Sequence, residues 1–171
     1  MNAAMLLIPL FLIRYGLLAL VNKVALPKAA HFPPMQKNEK VMLCIYQLST
    51  VSILAYMFFL RVTIATVVSQ IGLCTYVIGV ALFAVATVNF AQSSTGINKN
   101  GLYCISRNPM YIGYFICFLG CGLLTRSIFM LILVGTFQTA AHWIILAEER
   151  WCIQSYGDEY IKYMNTVRRY I

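Results

Sequence analysis

Two short stretches hold the residues best suited to chemistry. The first is Gly101-Leu-Tyr-Cys-Ile-Ser-Arg-Asn-Pro-Met-Tyr111, with a long apolar run ending before it and another starting straight after Pro109. Asn108-Pro109 is a helix-start signal. Asn caps free N–H groups, and Pro suits the first helical turn, where its missing N–H costs nothing. A helix N-terminus carries partial positive charge, and here it lies beside Arg107 and the hydroxyls of Tyr103 and Tyr111. That combination suits a small ligand bearing a carboxylate. An Asn-Pro start at a membrane boundary also serves capping alone. The second stretch is Glu148-Glu149. Paired carboxylates there suit a cation or a set of hydroxyl groups, and equally a solvated helix end. Glu149 and Arg150 are adjacent, so they share no helix face and neutralise each other poorly.

Helices must position these stretches. Of the 171 residues, 61% are hydrophobic and 11% charged, more apolar surface than a soluble domain of this size can bury. The chain therefore reads as an integral membrane protein. A spanning helix needs about 20 apolar residues. Five runs come near that length: 4–25, 41–60, 65–90, 109–124 and 128–146. Only Thr125-Arg126-Ser127 separates the last two, which predicts a tight antiparallel hairpin. The expected fold is an all-α membrane protein of about five transmembrane helices, with that hairpin and a short cytoplasmic C-terminal helix. It forms one domain over 1–171: three helices in 1–91, then a loop, the hairpin and a tail in 92–171.

The formal charge of +8 suits nucleic acid in a soluble protein, but no nucleic-acid motif is present. In a membrane protein the commoner cause is Lys and Arg gathered on the cytoplasmic side. With the N-terminus outside, ten Lys and Arg fall inside and only Arg61 and Arg126 outside. All five acids also fall inside, so the C-terminus and any chemistry are expected at the cytoplasmic face. Residues 1–22 lack a basic start and a small-residue cleavage site and read as a retained helix. Arg14, within this first run, either lines a polar pathway or snorkels and bonds a backbone carbonyl. The lysines of the first loop, 23–40, suit anionic membrane lipids. The six cysteines include no C-x-x-C pair and read as small buried hydrophobes. His31 and His142 are too far apart to suggest a metal site.

Past residue 146 the last helix continues out of the membrane, with Trp151 and Tyr156 suited to an interfacial belt. Gly157 reads as a C-cap, and Asp158-Glu159 as the start of a short helix. Taken together, Gly-x-Tyr-x-x-x-Arg-Asn-Pro-Met-Tyr, a hydrophobic hairpin, Glu-Glu, and Tyr-Gly-Asp-Glu-Tyr-x-x-Tyr-x-x-x-Val resemble the C-terminal half of one family. It is the isoprenylcysteine carboxyl methyltransferase family, with the related phospholipid N-methyltransferases. The resemblance covers about 92–171. It implies S-adenosylmethionine as cofactor, no metal, and a lipophilic substrate entering from the bilayer.

Residue by residue, Tyr103 matches the tyrosine of the family's Gly-x-Tyr, and Asn108, Pro109, Met110 and Tyr111 match its His/Asn-Pro-x-Tyr. Thr95, Gly96, Ile97 and Asn98 occupy the place of a cofactor-contacting segment, with different residue types. Glu148 matches the acid that holds the cofactor or shapes the catalytic pocket, Glu149 extends it, and Arg107 matches the Arg before the His/Asn. The resemblance thus makes Arg107 and Glu148 the catalytic pair. There are two departures. Asn108 stands where the prenylcysteine enzymes usually show His. His142-Trp-Ile-Ile-Leu-Ala147 also lacks the arginines that eukaryotic prenylcysteine enzymes carry before the acids.

The chemistry of the residues agrees. A capped helix N-terminus and Arg107 suit the cofactor's carboxylate, Glu148 or Glu149 its ribose or ammonium, and Tyr103 and Tyr111 its adenine or sulfonium. A carboxylate acceptor needs no base; an amine must first lose a proton, and Glu148, Glu149 or His142 then becomes the candidate. The leading acceptor is a prenylated cysteine carboxylate or analogue, with a phospholipid headgroup amine as the alternative. Two rivals from other classes are a sterol-reductase-like protein, which needs more helices, and a small membrane transporter, which needs an acid inside a spanning run.

Overall fold

The apolar runs fold as helices throughout the computed structural model, which describes residues 1–23, 32–92 and 96–171. Among these residues there is no strand, only isolated bridges pairing Asn2 with Arg61 and Ser106 with Arg168. We label the helices α1 (Ala3–Val21), α2 (Lys37–Tyr56), α3 (Val67–Gln92), α4 (Pro109–Thr125), α5 (Ile128–Tyr156) and α6 (Asp158–Thr166). A 3-10 turn, Gly101–Cys104, lies between α3 and α4. α1, α3 and α5 are long and apolar enough to cross a membrane, and α4 is a shorter apolar helix.

α2 starts and ends about one turn earlier than its apolar run. At its start, the Glu39 carboxylate turns back to accept from the Gln36 backbone N–H at 2.7 Å, so the charged residues form the helix's first turn. At its end, the chain leaves the helix to receive the N-terminus. Ala3 N–H donates to the Leu60 carbonyl (3.0 Å), Val62 N–H to the Met1 carbonyl (2.9 Å), and the Asn2 side chain to the Phe58 carbonyl (2.9 Å). α1 stops at Val21 rather than 25, because Asn22 is extended and its amide donates to the Ala91 carbonyl at the end of α3.

α1 is not uniform. It begins as 3-10 over Ala3–Leu6, is α-helical over Leu7–Phe11, and widens to a π-helix over Leu12–Leu17 around Arg14. The Leu6 carbonyl is taken by the Tyr76 hydroxyl of α3 at 2.7 Å.

α1 packs on α3, α3 on α4, α4 on α5, and α5 on α2. Only Arg126 and Ser127 separate the last two apolar helices, with Arg126 in the left-handed region at φ 53°. Yet the main partner of α4 is α3 rather than α5. The reason is a double row of glycines. Gly72 and Gly79 of α3 face Leu123–Leu124 and Cys117 of α4, while Gly113 and Gly120 of α4 face Phe83 and Tyr76 of α3. Each helix thus sets a glycine seven residues from the next, opposite the bulk of its neighbour, and the backbones close up as small residues allow. A Cβ at Gly79 would lie 2.5 Å from the Cys117 backbone nitrogen. Two of the cysteines, Cys117 and Cys121, are buried in this region as expected, whereas Cys44 and Cys74 face outward from their helices.

Gly79→Ala should therefore force the two backbones apart and destabilise the protein by about 1–3 kcal/mol, the usual cost of overpacking. Gly135→Ala, where nothing lies within 4 Å, is the control. Thermal unfolding in detergent should show a lower melting temperature for the first only; equal melting temperatures would mean the seam can relax.

Candidate active site

One end of the bundle gathers the chain's polar groups. It comprises the start of α2, the end of α3, residues 96–108, the start of α4, the last turns of α5, and the tail. Among the described residues, all of the ion pairs lie here: Lys99–Glu159, Arg107–Glu149, Arg150–Glu39 and Arg169–Glu149.

Glu149 is the hub. Its carboxylate is almost fully buried and accepts from Arg107 Nε and Nη2 at 3.1 and 2.8 Å. It also accepts from Arg169 Nε at 3.0 and 3.1 Å and from Arg169 Nη2 at 2.8 Å. Arg107 is itself buried, and its Nη1 donates to the carbonyls of Met164 (3.0 Å) and Val167 (2.7 Å). Removing such ions from water is costly unless each is paired and its remaining donors are satisfied. Here that saturation ties three segments together: the loop before α4, α5 and the tail. The adjoining backbone follows suit. Arg107 N–H donates to the Arg168 carbonyl at 2.9 Å, and the Ser106 hydroxyl and Asn108 amide both donate to the Arg169 carbonyl. The Glu149 carboxylate bonded to Arg169 holds that guanidinium above its ordinary pKa range, so it stays charged.

Glu148, one residue earlier on α5, has a different partner. The Tyr111 hydroxyl donates to its Oε1 at 2.7 Å. The two glutamates thus point about a quarter-turn apart and do separate work. The Asn-Pro corner and the twin acids, some forty residues apart in sequence, meet at one place.

Asn108 does not cap α4 with its side chain, contrary to the expectation from Asn-Pro. The amide is drawn away to the Arg169 carbonyl, and Pro109 occupies the first turn as predicted. The first-turn amides of Met110 and Tyr111 are therefore left without a side-chain cap.

The loop before α4 is built on Asn89, which the sequence did not single out. Its Oδ1 accepts from Leu102 N–H (3.0 Å), its carbonyl accepts from the Asn98 amide (2.9 Å), and its side chain fills the space a Cβ on Gly101 would need, at φ 58°. Asn98 also accepts from Asn100 N–H, so both ends of its side chain shape the loop. Gly96 is exposed, and Ile97 packs against the apolar cluster of Tyr160, Tyr163 and Val167. Tyr103 is buried. Its carbonyl accepts from the Tyr163 hydroxyl at 2.7 Å, and burial pushes its phenol well above the ordinary range. Thr95 and His31 lie outside the described residues. His142 shares a hydrogen bond with the Tyr170 hydroxyl at 2.7 Å, on a different face of α5 from Glu148.

Of the residues expected at a ligand, the structure brings Tyr111, Glu148 and the start of α4 together. Arg107 and Glu149, expected as ligand contacts, are paired with each other. The missed elements are Asn89, Arg169 and the tail carbonyls, which no local motif announces.

The family pattern for phospholipid methyltransferases matches residues 60–159. That covers most of the chain, from the end of α2 through the corner and both glutamates into α6. The chain belongs to the phospholipid methyltransferase family. This is the group that includes the isoprenylcysteine carboxyl methyltransferases, so the resemblance read from the sequence holds. No curated protein and no solved structure matches the chain. Membership makes this methyltransferase an integral membrane protein, in keeping with its apolar helices. It lends no support to the reductase or transporter readings.

The two glutamates should separate on substitution. Glu149→Ala leaves two arginines facing each other without their anion, a loss of about 3–5 kcal/mol, and should loosen the tail. Hydrogen exchange should rise across residues 158–171. Glu148→Ala should leave both stability and tail protection close to wild type. Equal damage from the two would deny them distinct roles.

Proposed function

We propose that this chain transfers a methyl group from S-adenosylmethionine to a lipophilic acceptor at the cytoplasmic membrane face. The observation that carries this reading is the meeting of the uncapped α4 N-terminus with the Tyr111–Glu148 pair. A ligand with a carboxylate at one end and hydroxyl and ammonium groups elsewhere finds both partners there. The amides of Met110 and Tyr111 suit the carboxylate. Glu148, with one oxygen taken by Tyr111, has the other for a hydroxyl or ammonium. When bound, the cofactor supplies an electrophilic methyl group on a sulfonium.

The protein's own part is placement and dryness, which is most of what methyl transfer asks. Arg107, Glu149 and Arg169 are positioning residues: they fix the corner before α4 against α5. Tyr103, Gly96, Ile97 and Asn98 shape the loop that borders the site. Glu148 orients the ligand and, for an amine acceptor, is the nearest group to take its proton.

Two acceptors stay in view, each on its own observation. A prenylated cysteine carboxylate suits the half-buried Arg14, which lines a cavity near the site. A phospholipid headgroup amine suits the family pattern that matched, and suits an acid at the site. α2 and α4 complete five crossings in this reading, with the N-terminus outside. A membrane-impermeant maleimide should then reach the exposed Cys104 only after the membrane is permeabilised. Labelling from outside intact cells would invert the topology.

S-adenosylmethionine and S-adenosylhomocysteine should raise the melting temperature of the detergent-purified protein, and nicotinamide cofactors should not. Glu148→Gln should abolish the shift and Tyr111→Phe weaken it; a full shift in Glu148→Gln would remove that residue from the site. Labelled methyl transfer into a total lipid extract and into a farnesylcysteine analogue, side by side, decides the acceptor. Transfer into neither would sink the reading.

A further inference from the structure

Arg14 sits on α1 well inside an apolar helix, where a charge costs about 2.5–3.5 kcal/mol on insertion scales. It lines a cavity of about 170 Å³ enclosed by α1, α2, α4 and α5. The polar part of the wall is Arg14 with Tyr15, Tyr46, Thr50 and Tyr114; the rest is aliphatic and phenyl. This is the make-up of a ligand pocket, mostly apolar with a few convergent polar groups. A cavity needs only about 10–15 Å³ to hold one water, so this one has room for a headgroup.

Three further observations bear on what enters. First, the helix under Arg14 is π-helical over Leu12–Leu17, a local widening that recurs at functional sites. Second, Tyr114 in the cavity wall stands one turn along α4 from Tyr111, so the cavity lies next to the Tyr111–Glu148 pair. Third, the cavity wall is only partly covered by the bundle: the cavity-lining Phe11 and Tyr15 of α1 are 46% and 60% exposed.

We propose that Arg14 is the anion subsite for the lipophilic acceptor: it receives the acidic group, a carboxylate or a phosphate, of that lipid in the cavity beside the Tyr111–Glu148 pair. The subsite rests on the methyl-transfer reading for its purpose but not for its existence. The aromatic wall holds the chain next to the acid, and the acid selects the substrate. A neutral lipid of the same length lacks the partner that Arg14 offers.

The test uses the full-length protein in a neutral maltoside detergent and four probes: N-acetyl-S-farnesylcysteine, its carboxamide, farnesyl monophosphate and farnesol. Binding is read by thermophoresis. Wild type should bind the acid of at least one pair ten-fold or more tighter than its neutral counterpart. Preference in the cysteine pair alone names a carboxylate; preference in the phosphate pair alone names a phosphate. Arg14→Gln should shrink the preference below two-fold, and Arg14→Lys should keep part of it. Equal binding of acid and neutral probe by wild type overturns the proposal, as does an undiminished preference in Arg14→Gln. Should Arg14→Gln fail to fold, Thr50→Phe fills the cavity without touching the charge and should weaken acid binding ten-fold or more. Unchanged binding there puts the site elsewhere and overturns it as well. The S-adenosylmethionine melting shift is scored separately. Its absence with acid preference intact removes the methyl-transfer reading alone, and the reverse result removes the subsite alone.

Discussion

A buried carboxylate gripped by two guanidinium groups governs the working end of this protein. Glu149 cannot sit where it does without Arg107 and Arg169, and neither arginine reaches it unless the loop before α4 and the tail both fold back onto α5. Charge in a poorly hydrated place is tolerated only when saturated, and here saturation takes five side-chain contacts to the carboxylate plus two tail carbonyls on Arg107. The consequence falls on the neighbour. With Glu149 committed to structure, Glu148 is turned about 100° round the helix toward Tyr111. Two adjacent residues of one type are sorted by helix geometry into an anchor and an acid held by Tyr111. Asn108 is sorted the same way: its amide serves the tail carbonyl, and the first turn of α4 is left open.

The second constraint is the glycine seam between α3 and α4. A helix starting in the right place must also lie at the right height. Gly72, Gly79, Gly113 and Gly120 fix that height because each accepts one particular neighbour. The seam sets Pro109 level with the end of α3, where Asn89 organises the loop. On the other side α1 and α2 share one apolar cluster and leave a cavity between them and α4 and α5.

Much of the architecture was legible because burying apolar surface in a bilayer leaves few options. The apolar runs became helices, Pro109 became a first turn, and Gly157, at φ 54°, ended α5. The boundaries of α2 slipped because hydropathy counts Lys and Glu as outside the helix, whereas Glu39 is the residue that starts it, bonded to the Gln36 backbone and to Arg150 of α5 at 2.7 Å. The site was legible as two stretches but not as a division of labour. Arg107 and Glu149 are separated by 42 residues, and nothing local says that each is the other's partner. The glycines were equally visible and equally mute: a seven-residue spacing on one helix means little until the facing helix shows the matching bulk.

Methyl transfer between a water-borne cofactor and a membrane-borne acceptor needs two entrances to one dry place. The uncapped start of α4 lies at the polar end, among the chain's ion pairs. The cavity that Arg14 lines lies among the apolar residues of α1, α2, α4 and α5. Tyr111 belongs to both neighbourhoods. Its hydroxyl holds Glu148 at the polar entrance, and one turn along the same helix Tyr114 lines the cavity that Arg14 shares. A leucine at position 14 would remove the cost of a charge in an apolar helix and would fit the surrounding aliphatic wall. The arginine instead brings a positive charge to the wall of that cavity, on a stretch of helix widened to a π-turn. Tight packing, saturated ions and a π-helical stretch of α1 therefore meet at one helix, α4, which carries both Tyr111 and Tyr114.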